Sequence, residues 1–466
     1  MCYNKFVIKI FKEVVFLMVK ALMALFKFNF GKFEEQEFRK FLRMSSIFFL
    51  IIGIYWTIRP LKDSLFNQLV GAVYQPYAKT VSLVLMIFFV ILYTKILDYV
   101  PKQKLLAIMP PLYYGTVILL YAGFIWAFQS GYIKSSVLTV ILGYFWYFLV
   151  ESFGSVVIAL FWSFTTGITK AESAKQGFPL IYMFGQLGQV IIPYLIITLP
   201  IDLGIKSEVL SMLIVAFLML LIAPLVNHLL KKTPKELLSL DENSEKSSKS
   251  GKKEKTGFME GLRLLFKHKY LLGIFAANFF FEFIVTVFDF NFKKSAANVY
   301  SGTELTRYYA VYSSLVGMVS LAMLLLGVSK ITKRIGIGKA LAIVPVMFGL
   351  AILGFLTINS LTFLCCLMIT SKAINYAVSG PALKQLYIPT TPDAKSKAQA
   401  WIETFGSRFS KEGGSGINML YQPLGAAAYR LFTSGLGFAF VTFWFFIALF
   451  LGKTYKKAVD SNTTVC

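Results

Sequence analysis

The sequence predicts an all-α membrane protein with about twelve transmembrane helices in two halves of six. Its 466 residues are 57% hydrophobic and only 15% charged, which is too apolar for an ordinary soluble protein. The uncharged stretch from Leu105 to Ile133 alone exceeds the roughly 20 apolar residues that cross a bilayer. Long continuous apolar runs, rather than short alternating segments, favour helices over a β-barrel.

Six spans are predicted on each side of a polar central segment. The first six lie near residues 44–60, 79–98, 105–128, 136–163, 177–200 and 208–229. The second six lie near residues 270–292, 307–329, 339–357, 361–383, 397–430, where the sequence EGGSG can break the helix, and 433–452. The predicted organisation is an N-terminal segment (1–43), a first bundle (44–230), a linker (231–269), a second bundle (270–452) and a C-terminal tail (453–466). This is a major-facilitator-like plan, in which substrate binds near the midplane between the halves.

The distribution of basic residues predicts the orientation of the spans. A net charge of +24 has the sign of a nucleic-acid binder, but most of the excess lies in short connections on one side, so no nucleic acid is expected as a partner. The linker carries eleven Lys and Arg. The odd-numbered connections hold few, with Lys79 nearly alone in the first and Lys293 and Lys294 in a small cluster. We therefore expect a multi-pass protein of the cell membrane with both termini in the cytoplasm.

The N-terminal segment resembles a signal peptide only superficially. Lys9, Lys12, Lys20 and Lys27 interrupt any long uncharged core, so an interfacial amphipathic helix is the better interpretation.

Signatures of metal binding and catalysis are missing from the sequence. The adjacent Cys365 and Cys366 lack metal-ligand spacing, and the only histidines, His228 and His268, fall at a span end and in the linker. The string GIGKA lacks the glycine spacing and the hydroxyl of a nucleotide-hydrolysing P-loop. We expect no cofactor, no metal and no enzymatic activity.

Several charged residues fall inside the predicted spans. An ionisable side chain at the bilayer centre costs roughly 2.5–3.5 kcal/mol, so such residues generally face a bundle interior or a wet cavity. The residues are Arg59, Lys62 and Asp63 in span one, Glu151 in span four, Glu282 and Asp289 in span seven, and Arg408 and Lys411 in span eleven.

Each set also has a structural interpretation. Arg59 and Lys62 can snorkel from a helix end, although Pro60 argues for a cavity or a compensating helix beside them. Glu151 can serve as an ion-pair partner or in coupling. The glycines after Lys411 can pack helices closely or cradle phosphate. Taken together, Arg59, Lys62, Arg408 and Lys411 predict a central cationic site for a multiply anionic ligand, with Asp63, Glu151, Glu282 and Asp289 as coupling or ion-pair partners.

Three stretches resemble the ATP/ADP translocases, or nucleotide transporters, of obligate intracellular bacteria, plastids and microsporidia. They are RPLKDSLF in span one, ESFGSVVIALFWSF in span four and LKQLYIPTTPDAKSKAQAWIETFGSRFSKEGGS before and within span eleven. The resemblance implies a twelve-span carrier that exchanges ATP for ADP by alternating access without hydrolysis. Its essential charges fall on Lys62, Glu151 and Lys411.

The sequence departs from that family in two places. The family has a glutamate in span seven, and in the corresponding stretch of this sequence, FEFIVTVFDFNFKK, Glu282 and Asp289 are the candidates to replace it. Near Pro381 this sequence reads GPALKQ and lacks the acidic residue that is usual in the family. Transport of other nucleotides or phosphorylated organic anions, including proton symport, therefore remains the alternative.

Overall fold

The computed structural model describes residues 35–133, 136–169, 171–234, 237, 258–325, 336–358, 360–375, 380–391, 398–461 and 463–465. Within these ranges the regular structure is helical and contains no strand. Most of the predicted N-terminal segment, residues 1–34, and the middle of the predicted linker, residues 238–257, lie outside the described residues.

The helices of the first half coincide with the predicted spans. They are α1 (Glu35–Leu69), α2 (Gln75–Tyr99), α3 (Lys102–Gln129), α4 (Ser136–Gly167), α5 (Ala171–Pro193, continued by Tyr194–Thr198 and Leu199–Asp202) and α6 (Glu208–Lys232). The first helix begins earlier than predicted, because residues 35–43 extend it instead of belonging to the amphipathic segment.

The second half follows the same plan. It comprises α7 (Phe258–Lys267), α8 (Lys269–Val299), α9 (Gly302–Leu325), α10 (Ile337–Thr357), α11 (Leu361–Ile374), α12 (Gly380–Gln385), α13 (residues 399–419) and α14 (Tyr421–Asp460). Among the described residues, nine helices are long and apolar enough to cross a membrane. The last helix continues to Asp460, beyond the predicted end of its span at residue 452.

Helical structure continues through two positions at which the sequence suggests an interruption. Helix α1 runs through Pro60 without ending, because neighbouring helices can satisfy the backbone carbonyl that a proline frees. In the eleventh span the sequence EGGSG lies inside a continuous helix that extends to Met419. The chain departs from helical geometry only afterwards, at Gly425, whose φ is 74°.

Close backbone contacts explain two of the glycines. A Cβ atom on Gly188 of α5 would lie 2.2 Å from the carbonyl oxygen of Phe49 on α1, and one on Gly414 of α13 would lie 2.9 Å from the carbonyl oxygen of Phe283 on α8. Small residues let membrane helices approach to this distance. The structure thus favours close packing over phosphate cradling for Gly414.

Each half has its own apolar core. One core is built mainly from residues between 41 and 229, and the other from residues between 265 and 451. The halves meet at the end of the bundle where α1 ends and where α6 and α9 begin. There the Ser64 hydroxyl lies 3.0 Å from the Gly302 carbonyl oxygen, and the Arg307 guanidinium forms a 2.7 Å ion pair with Asp202.

A buried carboxylate joins the two halves at this end. Glu208, at the start of α6, accepts hydrogen bonds from Gln68 of α1 at 3.0 Å, from Gln129 of α3 at 2.9 Å and from Thr306 of α9 at 2.5 Å. The Ser64 hydroxyl lies 3.2 Å from the same carboxylate. Helix α9 of the second half is thereby tied to three helices of the first.

We expect Glu208→Ala to lower Tm by roughly 5 °C or more, because it leaves several buried donors without an acceptor. Glu304→Ala is the matched control. Its carboxylate forms a 2.8 Å ion pair with Lys206 but is 44% exposed, and exposed pairs contribute about 1 kcal/mol or less. Thermal unfolding of both purified variants in detergent makes the comparison, and equal Tm values would show that Glu208 does not hold the halves together.

Candidate functional site

A cavity of about 550 Å³ lies between the two halves and contains the predicted basic residues of both. Helices α1, α2, α4, α5, α8, α11 and α13 contribute to its wall. Arg59 and Lys62 enter it from the first half, and Arg408 and Lys411 enter it from the second. The expectation that charges from distant parts of the chain share one chamber agrees with this geometry.

Lys62 is the most deeply buried cation of the cavity, with 1% of its side chain exposed. Its ammonium is hydrogen-bonded to the Glu151 carboxylate of α4 and lies 3.6 Å from Asp63. The face of the Tyr147 ring is 4.0 Å from the same nitrogen. A cation at this depth is stable because two carboxylates and an aromatic face replace its water.

Arg59 is held by aromatic rings. Its guanidinium carbon lies 4.8 Å from the Trp56 ring centroid and 5.5 Å from that of Tyr55. Tyr55 and Trp56, which precede Arg59 on α1, thus position its guanidinium.

Asp289 of α8 is the centre of an ion-pair network. Lys293, one turn further along α8, lies 2.9 Å from Asp289 and 3.0 Å from Asp63, so that it links the two halves. Lys372 of α11 and Lys79 of α2 lie 3.6 Å and 3.9 Å from the Asp289 carboxylate. Asp63 does not line the cavity itself but is paired with Lys62 and Lys293, which do.

Lys411 of α13 is also paired with an acid. Lys411 lies 3.6 Å from Glu282 of α8, and the Ser407 hydroxyl donates to the same carboxylate at 3.2 Å. Glu412 accepts a hydrogen bond from the Thr80 hydroxyl of α2 and so connects the halves again. Both candidate acids of span seven therefore line the cavity, with Glu282 beside Lys411 and Asp289 in the network of Lys293.

In the part of the chain that the structure describes, four charged residues of the cavity do not appear among the predicted site residues. Lys79 and Lys293 are counted in the sequence with the charges of connecting segments, but the structure places both in helices that line the cavity, as it does Lys372 and Glu412. Two signals are available in the sequence. Lys372 is a solitary charge in the apolar stretch 361–383, and Lys293 follows Asp289 by four residues, which places both on one helix face.

The charges that line the cavity favour an anion. Of the side chains that the structure describes, seven basic and four acidic ones contribute to the wall, which leaves an excess of three positive charges. The acidic side chains neutralise part of this cationic surface. Among the described residues, no group of three or more His, Cys, Asp and Glu side chains is arranged to bind a metal ion.

Solved structures with similar folds are transporters. The chain resembles the nucleoside transporter NupG with a TM-score of 0.57 and 14% identity, over 88% of this chain and 98% of that one. It also resembles a bacterial homologue of the iron transporter ferroportin, in an inward-facing state, with a TM-score of 0.60 and 10% identity over 91% and 100%. The fold is that of a multi-pass, all-α membrane protein of the major-facilitator-like class, with a cavity between its halves.

The sequence comparison identifies the family. The family model described as TLC ATP/ADP transporter matches residues 18–365, and the chain belongs to that family. Proteins named ADP,ATP carrier protein 1 from Rickettsia prowazekii (strain Madrid E) and Rickettsia typhi (strain ATCC VR-144 / Wilmington) are 24% and 23% identical to it. Each alignment covers 92% of this chain and 96% of the relative.

Proposed function

We propose that this protein exchanges ATP for ADP across the cell membrane, without hydrolysing either, and that the nucleotide phosphates bind in the cavity between the halves. The observation that carries this proposal is the convergence of Arg59, Lys62, Arg408 and Lys411 on one chamber with an excess of positive charge. Arginine binds phosphate bidentately and lysine binds it as a point charge. Family membership and the carrier names of the relatives support the same substrate class.

The proposed mechanism is competition between phosphate and the carboxylates of the cavity. In the structure Lys62 pairs with Glu151, and Lys411 lies beside Glu282. Bound phosphate replaces these carboxylates around the cations, and the carboxylates are then free to rearrange with the helices that carry them. Lys293 lies in the same cavity and joins Asp63 of the first half to Asp289 of the second. Bound phosphate that approaches Lys293 therefore changes an ion pair that crosses between the halves, and with it the relative stability of the two access states.

The proposal includes the orientation in the membrane. Both termini face the cytoplasm, because the basic residues concentrate in the even-numbered connections and in the linker. With this orientation, the Glu208 contacts close the cavity on the side away from the cytoplasm.

Counterflow in proteoliposomes tests the proposal. We expect uptake of labelled ATP when ADP is inside and little uptake when the vesicles are empty, because an unloaded carrier must return with its cavity charges uncompensated by substrate. Labelled phosphorylated sugars serve as the comparison substrate. If uptake is independent of internal ADP and requires an imposed proton gradient, the protein is a symporter and not an exchanger. If it transports the phosphorylated sugars in preference to ATP, nucleotides are not its main substrate.

A further inference from the structure

The cavity wall has an aromatic part as well as a charged part. Trp162 of α4 and Tyr182 of α5 stack with ring centroids 4.7 Å apart, and Phe48 of α1 packs edge-on against Trp162 at 5.2 Å. All three rings line the cavity, and half of the surface of Tyr182 is exposed. Gly185 permits this arrangement, because a Cβ atom there would lie 2.6 Å from the Phe48 ring. We refer to Phe48, Trp162 and Tyr182 as the aromatic wall.

The aromatic wall lies at a distance from the cations that suits a nucleotide. Trp162 and Glu151 are both on α4, and a rise of about 1.5 Å per residue separates them by about 16 Å along the helix axis. Glu151 holds Lys62, so this cation lies about three helical turns from Trp162 along α4. An extended nucleoside triphosphate, with its phosphates at one end and its base at the other, spans such a cavity.

A polar group next to the aromatic wall has no partner. Gln186 lies one helical turn after Tyr182 on α5 and lines the cavity. Its side-chain oxygen is shielded from solvent and makes no hydrogen bond. An unsatisfied buried acceptor costs free energy, and the terminal torsion of a glutamine turns easily toward an incoming donor.

We propose that the aromatic wall is the nucleobase subsite and that Gln186 recognises the exocyclic amino group of the base. This inference rests on the proposed function and adds where the base binds and which bases are accepted. Every base can stack on an aromatic face, so stacking alone gives affinity without selection. A carboxamide forms a bidentate pair with adenine, whereas uracil offers no amino group to its oxygen. Adenine nucleotides are therefore preferred to uridine nucleotides.

Tyr182→Leu and Gln186→Leu test the two parts of the subsite separately. We measure equilibrium binding of labelled ATP to the purified protein and its displacement by ATP, UTP and inorganic tripolyphosphate, so that the result does not depend on transport. Tyr182→Leu weakens ATP binding roughly tenfold and leaves tripolyphosphate unchanged. Gln186→Leu reduces the preference for ATP over UTP by roughly tenfold.

Phe161→Leu is the matched control. Phe161 stacks on Phe48 at 4.7 Å but does not line the cavity, so its substitution perturbs the packing of the same helices without touching a ligand. Wild-type binding in this variant supports the subsite. If Phe161→Leu weakens ATP binding as much as Tyr182→Leu does, the aromatic wall is only a packing feature. The same conclusion follows if Tyr182→Leu weakens the binding of ATP and of tripolyphosphate equally. Either result leaves the proposed function intact, whereas absence of ATP binding to wild-type protein contradicts both.

Discussion

Replacement of Lys62 by alanine reduces nucleotide exchange roughly a hundredfold or more. The loss of one partner of a buried ionic contact costs about 2–5 kcal/mol, and about 1.4 kcal/mol is a factor of ten. Lys62 has 1% of its side chain exposed and faces the cavity between Glu151 and Asp63, so solvent cannot take its place. Uptake of labelled ATP into proteoliposomes that contain ADP measures the effect.

The double variant Lys62→Ala/Glu151→Gln shows whether Lys62 binds the substrate or only neutralises the charge of Glu151. It removes both charges of the buried pair, so the protein regains stability that the single variant loses. Under the proposed function it still fails to exchange nucleotides. Recovery of exchange in the double variant would mean that Lys62 serves only to neutralise Glu151. Lys206→Ala is the control for lysine loss, because that residue is 58% exposed and pairs with Glu304 at the surface.

The second large effect is expected at Lys293. Its ammonium lies 3.0 Å from Asp63 and 2.9 Å from Asp289, and its removal leaves two buried carboxylates facing each other across the halves. Like charges in such a position destabilise the closed arrangement and oppose the entry of phosphate. We expect Lys293→Ala to lower the exchange rate at least about tenfold and to weaken nucleotide binding.

The neighbouring Lys294 provides the control for this prediction. Its ammonium lies 4.3 Å from the Tyr421 ring and does not line the cavity, although it carries the same charge on the same helix. We expect Lys294→Ala to exchange nucleotides within about twofold of wild type, as for a partly exposed charge outside the site. Similar losses in both variants would indicate that α8 responds to any change of charge at this level and that the bridge from Lys293 to Asp63 has no special role.

The predictions for Lys62 and Lys293 both rest on ion pairs between cations and carboxylates of the cavity. Each of the cations Lys62, Lys293 and Lys411 lies within ion-pairing distance of a carboxylate, and two of these pairs involve Asp63 or Glu151 of the first half. A nucleotide must displace carboxylates to bind. Variants that remove a cation and variants that remove its acid therefore change the same equilibrium in opposite directions.

Much of the architecture follows from local properties of the chain. Apolar runs long enough to cross a bilayer predict each helix independently, because the transfer of a helix into lipid depends on its own residues. The free-energy cost of a charge inside a span identified Arg59, Lys62, Glu151 and Lys411 as candidate site residues. Such a charge requires a wet or paired environment wherever its helix packs.

The pairing of those charges was not available from the sequence. In the sequence, Lys79 and Lys293 resemble residues of connecting segments because they lie at the predicted ends of spans. The packing of the helices shows that both side chains line the cavity. Likewise, nothing in the sequence indicates that Glu208 is buried among donors from three other helices.

A membrane carrier with basic residues at span depth in both halves could be predicted from the amino-acid sequence alone. The packed helices were needed to show that these residues share one cavity, which acid each of them faces, and where the aromatic wall and Gln186 lie relative to them. The difference arises because insertion into a membrane is a sum over individual helices. Ion pairing and stacking depend instead on the rotation and separation of helices that are far apart in the chain.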